Sequence, residues 1–556
     1  MNSLIRKKFV ATVISLSLLT GAIGVKAQAL ENITLANVLQ LSLSFAGNLA
    51  EQAVQAVKQS DVWGVEPGNY NWWTTGLNMI WPQKVDAPLT SADQQLPYTV
   101  PTVSTGEVKR NLYYVWQQVT VPKSTGAACS DGSEYKFFVN LSPASNNLSV
   151  FFEPGGACTT YANCAAMKPT LNEDGSVKYD ANGNLVEHPT RITASHRDGL
   201  SNDFMNLFAG GAGGIMSPYM SRLAVGSPKR LKTQDWNQVF MPYCTGDVFV
   251  GDNTQYLTRI DDKESLIYRH KGMHNVMAAL GWMRTNLPRP AQVFSSGMSA
   301  GSIGVDMLRP VVRKVLNPRD TLYTMADSGF VLADDPINRN TDIAPAALMF
   351  PGFISAGWNY DPAHPERKTP AKLFQTLMPS FNPNDMNTFG PAAHAFNRQD
   401  RMLYVYSQSD VILSAFGYEL NPARTVAAKL DGDINLEQPK VFNSNLGRFL
   451  RDATTKELTI LKNNVGSMNQ NVGYFLPSGR NFGLSHCLAL LTYEGSYNAE
   501  SGHDIYDAMN NLLNRNRPAV WREMESDGWR GLFTKLGPTS KAFADVLGSN
   551  FYMPTN

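Results

Sequence analysis

Ala291-Gln292-Val293-Phe294-Ser295-Ser296-Gly297-Met298-Ser299-Ala300-Gly301-Ser302-Ile303 is the stretch on which the fold turns. Its opening residues form a short apolar run of strand type, and Ile303, Met307, Leu308, Val311 and Val312 then recur at helical spacing. Between them stands Gly-x-Ser-x-Gly. A strand running through GxSxG into a helix is the setting of a nucleophile elbow, in which the glycines clear space for a strained turn that presents the Ser299 hydroxyl at the carboxyl end of a sheet. A Gly/Ser-rich turn that merely caps the helix is the plainer alternative; the flanking strand and helix favour the elbow.

Outward from this point, short apolar runs alternate with helical ones. Leu148 to Phe152, Val239 to Met241, Leu322 to Met325 and Met402 to Tyr406 read as buried strands, while Val276, Ala279, Leu280, Met283 and Leu287 mark another amphipathic helix. Such alternation means a mostly parallel sheet with helices on both faces, and together with the elbow the expected fold class is α/β-hydrolase-like. The expected organisation is an N-terminal extension over 30–110, a catalytic domain over 111–494 with a cap-like insertion at 335–401, and a C-terminal helical tail over 495–556. Within the extension, Leu30 to Lys58 is helix-like, whereas Trp63 to Pro101 is rich in Trp and Pro and shows little periodicity. Its Trp63, Trp72, Trp73 and Trp81 are expected to pack on the body rather than to form a sugar-stacking platform.

Composition narrows the function. The 556 residues carry 48 Lys and Arg against 47 Asp and Glu, which argues against a nucleic-acid partner and a polybasic membrane anchor. Hydrophobic content of 43% with 43 Gly and 32 Pro describes a loop-rich globular protein. Arg6, Lys7 and Lys8, the apolar run Phe9 to Gly24 and the small-residue site Ala27-Gln28-Ala29 read as a secretory signal peptide over 1–29, giving a secreted or periplasmic protein. No later segment reads as transmembrane. Five cysteines, Cys129, Cys158, Cys164, Cys244 and Cys487, favour two disulfides and one leftover thiol in an exported chain, without deciding the pairs. His270 and His274 lack the glutamate of a metallopeptidase helix and no CxxC pair occurs, so no metal is expected. Asp180-Ala181-Asn182-Gly183 has its glycine too early for an EF-hand and reads as a β-turn.

A serine hydroxyl attacks only when a histidine takes its proton and a carboxylate holds that histidine in the right tautomer. In this fold the chain order is Ser, acid, His. Asp410, just beyond the strand ending at Tyr406, is the expected acid; His486 and His503 follow it. His486, in the turn-like Gly483-Leu484-Ser485-His486-Cys487, is preferred, since His503 in Ser501-Gly502-His503-Asp504 would as easily cap a helix. Asp327 is a rival acid that keeps the order. Glu153-Pro154-Gly155-Gly156-Ala157-Cys158, glycine-rich after the Leu148 strand, is the expected oxyanion loop.

These segments, with Gly213-Gly214-Ile215-Met216-Ser217, Pro242-Tyr243-Cys244 with Gly246-Asp247 and Gly251, Ala326-Asp327-Ser328-Gly329-Phe330 and Asn445-Leu446-Gly447-Arg448, together resemble the secreted pectin acetylesterases and Notum-type carboxylesterases. The match runs in order from about Leu112 to Leu491. The resemblance implies Ser299 as nucleophile, Asp410 as orienting acid and His486 as base. It also implies an oxyanion hole of the Gly156, Ala157 and Ala300 N–H groups, and Asp327 as a support behind the catalytic set. It pairs Cys158 with Cys164 and Cys129 with Cys244, leaving Cys487 free. Ala157 stands where family members usually carry an aromatic residue. The expected activity is hydrolysis of acyl esters, of small acyl groups or an acylated glycan, without metal or organic cofactor. A binding protein on an inactive esterase scaffold and a peptidase of the same fold are the alternatives.

Overall fold

The computed structural model describes residues 83–86, 89–93, 100–103, most of 113–189, 232–329, 357–361, 367–408, 410, 458–477, 486–489 and 498–526, single positions apart. Among these residues ten strands form one sheet: β1 (Gln83–Asp86), β2 (Trp116–Thr120), β3 (Lys136–Asn140), β4 (Leu148–Phe152), β5 (Asn237–Met241), β6 (Val293–Met298), β7 (Leu322–Asp327), β8 (Arg401–Val405), β9 (Val472–Leu476) and β10 (Arg522–Met524). Their spatial order is β1-β2-β3-β5-β4-β6-β7-β8-β9-β10. Neighbours pair in parallel except β3, which runs antiparallel to both β2 and β5. The architecture is α/β-hydrolase-like.

Every residue of β4 and β5 is buried, as an unbroken apolar strand covered on both faces requires. The pleat sorts their side chains into two cores. Leu148, Val150, Phe152, Val239 and Met241 meet the helices α1 (Gly272–Asn286), α2 (Ala300–Leu316), α3 (Pro370–Leu377) and α4 (Phe389–Phe396) on one face. On the other, Phe151, Phe240, Phe294, Tyr323 and Phe475 meet α5 (Ile505–Leu512). Helix α1 starts where the fully buried Asp247 carboxylate accepts the Gly272 N–H at 2.8 Å, satisfying a donor that the helix itself leaves open. Helix α5 starts with a capping box between Asp504 and Asp507.

Segments on either side of the central strands also contribute to the sheet and its cores. The extension reaches into the sheet: β1 joins its edge beside β2, and Leu89–Asp93 pairs with Val100–Val103. The C-terminal tail supplies a strand, β10, as well as helix α5. Such strands arise from a sheet edge offering unpaired N–H and C=O groups, so short segments form them with no side-chain alternation to announce it. Within the segment expected as a cap, α3 and α4 belong to the first core together with α2, as a crossover between β7 and β8. The apolar run Ala346 to Pro351, the segment 1–29 expected as a signal peptide and the segment 30–58 expected as helix-like lie outside the described residues.

Cys129 is bonded to Cys244 and Cys158 to Cys164, while the buried Cys487 is a free thiol. Their sequence separations, 115 and 6, correspond to about 5 and about 2 kcal/mol of lost unfolded-chain entropy. The turn at Asp180 is closed by Gly183 N–H donating to Asp180 O at 3.0 Å, and the Asp180 carboxylate accepts the Asn182 and Asn184 N–H groups. Among the described residues no helix is long and apolar enough to cross a membrane.

Candidate active site

Strands β4, β6, β7, β8 and β9 run parallel, so the segments that leave them gather on one edge of the sheet. Strand β6 begins two residues later than expected and extends to Met298, which puts Gly297 inside the sheet and Ser299 at the joint with α2. Ser299 has φ 51° and ψ −120°, a region that side chains enter only under constraint. The glycines impose it: a Cβ on Gly297 would stand 2.2 Å from Gly301 O, and one on Gly301 would stand 2.1 Å from Phe152 O. Strand, helix and the end of β4 thus close on one another with no room for a methyl group. Gly301→Ala is expected to cost about 3 kcal/mol or more, the upper range for forced overpacking, and to lower Tm and activity together. A wild-type melting curve for this variant would remove that account of the elbow.

The Ser299 side chain makes no capping bond to α2, although the residue occupies the N-cap position. A plain helix-capping serine would spend its hydroxyl there. Its backbone is fixed instead, with Ser299 N–H donating to Asp327 O at 2.9 Å and Ser299 O accepting from Ser302 and Ile303.

Asp410 and His486 meet directly. His486 Nδ1 lies 2.8 Å from Asp410 Oδ2, and because an ionised carboxylate only accepts, the ring nitrogen is the donor. Asp410 is fully buried. Burial alone would push the His486 imidazolium down; the Asp410 carboxylate, with the Cys487 thiol beside the ring, outweighs it and holds the pKa well above the ordinary imidazole value. Once the ring is neutral, the bond to Asp410 selects the tautomer with its proton on Nδ1, which makes Nε2 the basic nitrogen.

Asp327 does a different job. Its Oδ1 accepts the Ser328 hydroxyl at 2.8 Å and the Leu488 N–H at 2.9 Å, and its Oδ2 accepts the Ala489 N–H at 2.6 Å. Ser328 Oγ in turn accepts the Cys487 N–H at 2.8 Å. The carboxylate is therefore occupied by the backbone just after His486, while its own main-chain carbonyl holds Ser299. Burial raises the Asp327 carboxyl to about 6 although Ala489, Ser328, Leu488 and His486 all pull the other way. Ser328 and Cys487 have positive φ like Ser299, at 60° and 61°, so three strained positions border this network. Ser328 was not singled out from the sequence; its position directly after Asp327 at a strand end was the available signal. The described hydrogen bonds join Asp410 to His486 and tie Ser299, through Asp327, to the backbone just after His486; a Ser299 Oγ–His486 bond is not among them.

The loop after β4 is fixed at both ends. Cys158 N–H donates to Gly246 O at 2.9 Å, Cys158 O accepts the Trp358 indole N–H at 2.9 Å, and the Cys158–Cys164 bridge closes the turn behind it. Gly156 adopts φ 68°, which suits a residue without a Cβ. Among the described hydrogen bonds none uses the N–H of Gly156, Ala157 or Ala300 as donor.

His503 lies elsewhere: its Nδ1 is 2.7 Å from Glu523 Oε1 and its ring stacks on Trp521, while Asp504 does the capping of α5. His270, Cys158 and Cys164 place ligand atoms within 4.8 Å of one another. The two sulfurs are joined to each other, and the His270 nitrogens face Thr245 O and Gln255 Oε1 at 2.8 Å, so the trio is occupied by protein bonding. Burial lowers the His270 pKa to about 4, although the Thr245 carbonyl pulls the other way.

Against known proteins, the pectinacetylesterase family model matches residues 228–355, which includes β5, α1, the elbow and β7. The family resemblance stands on that stretch. No curated protein matches the chain by sequence. Two crystal forms of the Wnt deacylase Notum from Drosophila superpose with 16% identity and a TM-score of 0.40, covering 73% and 74% of this chain and 95% and 96% of theirs.

Proposed function

We propose that this chain is a secreted serine ester hydrolase of the pectin acetylesterase type, acting on small acyl esters or on a neutral acylated glycan. The observation that carries the reading is the Asp410–His486 pair, 2.8 Å apart and linked through Asp327 to a strained serine whose hydroxyl is spent on no cap. In this reading His486 Nε2 takes the Ser299 proton as Oγ attacks the ester carbonyl, and Asp410 stabilises the imidazolium that forms. The Gly156, Ala157 and Ala300 N–H groups receive the developing oxyanion, where fixed donors contribute most. The imidazolium then protonates the departing alcohol. Water, activated by the same imidazole, releases the acid from the acyl-enzyme.

The near balance of 48 basic and 47 acidic residues suits a neutral substrate better than a polyanion. The test is a fluorophosphonate labelling of Ser299 followed by kcat/KM on acetyl to octanoyl esters, acetylated polysaccharides and matched amides, with and without chelator. Ester turnover insensitive to chelator is expected, with little amide cleavage. Because His486 must be neutral to act and its pKa is raised, kcat/KM is expected to rise with pH through a midpoint above the ordinary value of about 6.5. Labelling without turnover on any ester would leave a binding scaffold, and faster amide than ester cleavage would make the chain a peptidase.

A further inference from the structure

We propose that Glu153 is a positioning residue for the oxyanion donors: from the first position of the loop after β4, its carboxyl group fastens that loop to the end of β5 by accepting the Tyr243 N–H at 2.6 Å. The assignment rests on the ester-hydrolase reading of Ser299. Glu153 is 1% exposed. Its N–H donates to Met241 O at 3.2 Å, so backbone and side chain both grip the chain leaving β5. Its carbonyl oxygen lies 2.7 Å from where a Gly301 Cβ would stand, so the elbow helix rests on the same residue. Three segments therefore meet at Glu153: the exit of β4, the exit of β5 and the start of α2. The exit of β5 is itself rigid, held by the Cys129–Cys244 bridge, by the Tyr135 hydroxyl donating to Pro242 O and by the Tyr243 hydroxyl accepting the Val248 N–H. Gly156 and Ala157 follow three and four residues after this anchor.

A carboxyl group in such a place has an electrostatic consequence. The titratable groups around it are the buried Tyr135, Tyr243 and Asp247, and none of them is a cation. Burial raises the Glu153 pKa to about 8, although the Tyr243 N–H favours the charged form. At neutral pH the anchor is thus an uncharged acid, which keeps the Tyr243 bond without setting a second negative charge near the loop that receives the oxyanion. Above about pH 8 it ionises and opposes that charge. The same shift makes folding stability pH-dependent. The folded-state pKa lies above the unfolded value, so the folded chain holds a proton that the unfolded chain has released. Stability from this group is complete below about pH 4.5 and is lost as pH rises to about 8.

The experiment compares wild type, Glu153→Gln and Glu153→Ala in ester hydrolysis and thermal unfolding from pH 5 to 10. Glutamine keeps a neutral acceptor for Tyr243, so kcat should stay within about threefold of wild type at pH 7 and should not fall above about pH 8 where wild type does. Alanine should lower kcat by about 10- to 100-fold with little change in KM, the pattern of an interaction that acts in the transition state. Wild-type Tm should fall relative to Glu153→Gln between pH 5 and 8, and this arm needs no turnover. Wild-type kcat in Glu153→Ala, a Glu153→Gln enzyme as damaged as Glu153→Ala, or parallel Tm-against-pH curves for wild type and Glu153→Gln would overturn the proposal. If Glu153→Ala does not fold, the two pH profiles of Glu153→Gln decide. Failure of wild type to label at Ser299 would instead reject the ester-hydrolase reading, with the Tm comparison still deciding whether Glu153 is a neutral buried anchor.

Discussion

Ser299→Ala is expected to lower ester turnover by about 10⁴-fold or more while changing stability by no more than about 0.5 kcal/mol. The hydroxyl makes no capping bond, so its removal breaks nothing that holds the elbow. The backbone at φ 51° is strained alike for serine and alanine, and the bonds fixing it run through the main chain to Asp327, Ser302 and Ile303. His486→Ala should reach a similarly low rate, because nucleophile and base act as one unit and removing either disables both. Initial rates with thermal melts on the same preparations check this. Near-wild-type turnover in Ser299→Ala would end the mechanism.

Asp410→Asn is expected to lose about 10³- to 10⁴-fold in kcat with the fold intact, since the amide presents an N–H to the imidazole and selects the wrong tautomer. Asp327→Asn should behave differently. Its carboxylate accepts bonds from Ser328, Leu488 and Ala489, and an amide NH₂ in place of either oxygen faces donors only. That leaves buried donors unpaired at about 1–3 kcal/mol, so the variant should lose Tm first and activity to a smaller degree. Measuring kcat and Tm for both variants separates the two acids. A fully active Asp410→Asn beside an inactive, stable Asp327→Asn would reverse the assignment.

Those two carboxylates also mark where sequence reading stops. Both follow strands, both precede His486 in the chain, and chain order permits either as its partner. The partner is chosen by which strand ends lie beside the loop carrying His486, and here Asp410 Oδ2 reaches Nδ1 while Asp327 turns to the N–H groups beyond the histidine.

The signals legible along the chain were local or periodic. The apolar runs of β4, β6 and β8, the spacing of α1 and α2, and the glycines around Ser299 each carry their signal within a dozen residues, because burial on both sheet faces and the steric demands of an elbow act residue by residue. The three-dimensional arrangement supplied the rest. Edge strands β1 and β10, made by hydrogen bonding to a neighbour rather than by side-chain pattern, came from segments read as an extension and a tail. It also placed α3 and α4 in the core and routed the Glu153 carboxyl to Tyr243, 90 residues away, since such contacts depend on the order in which strands lie side by side, which no single segment encodes.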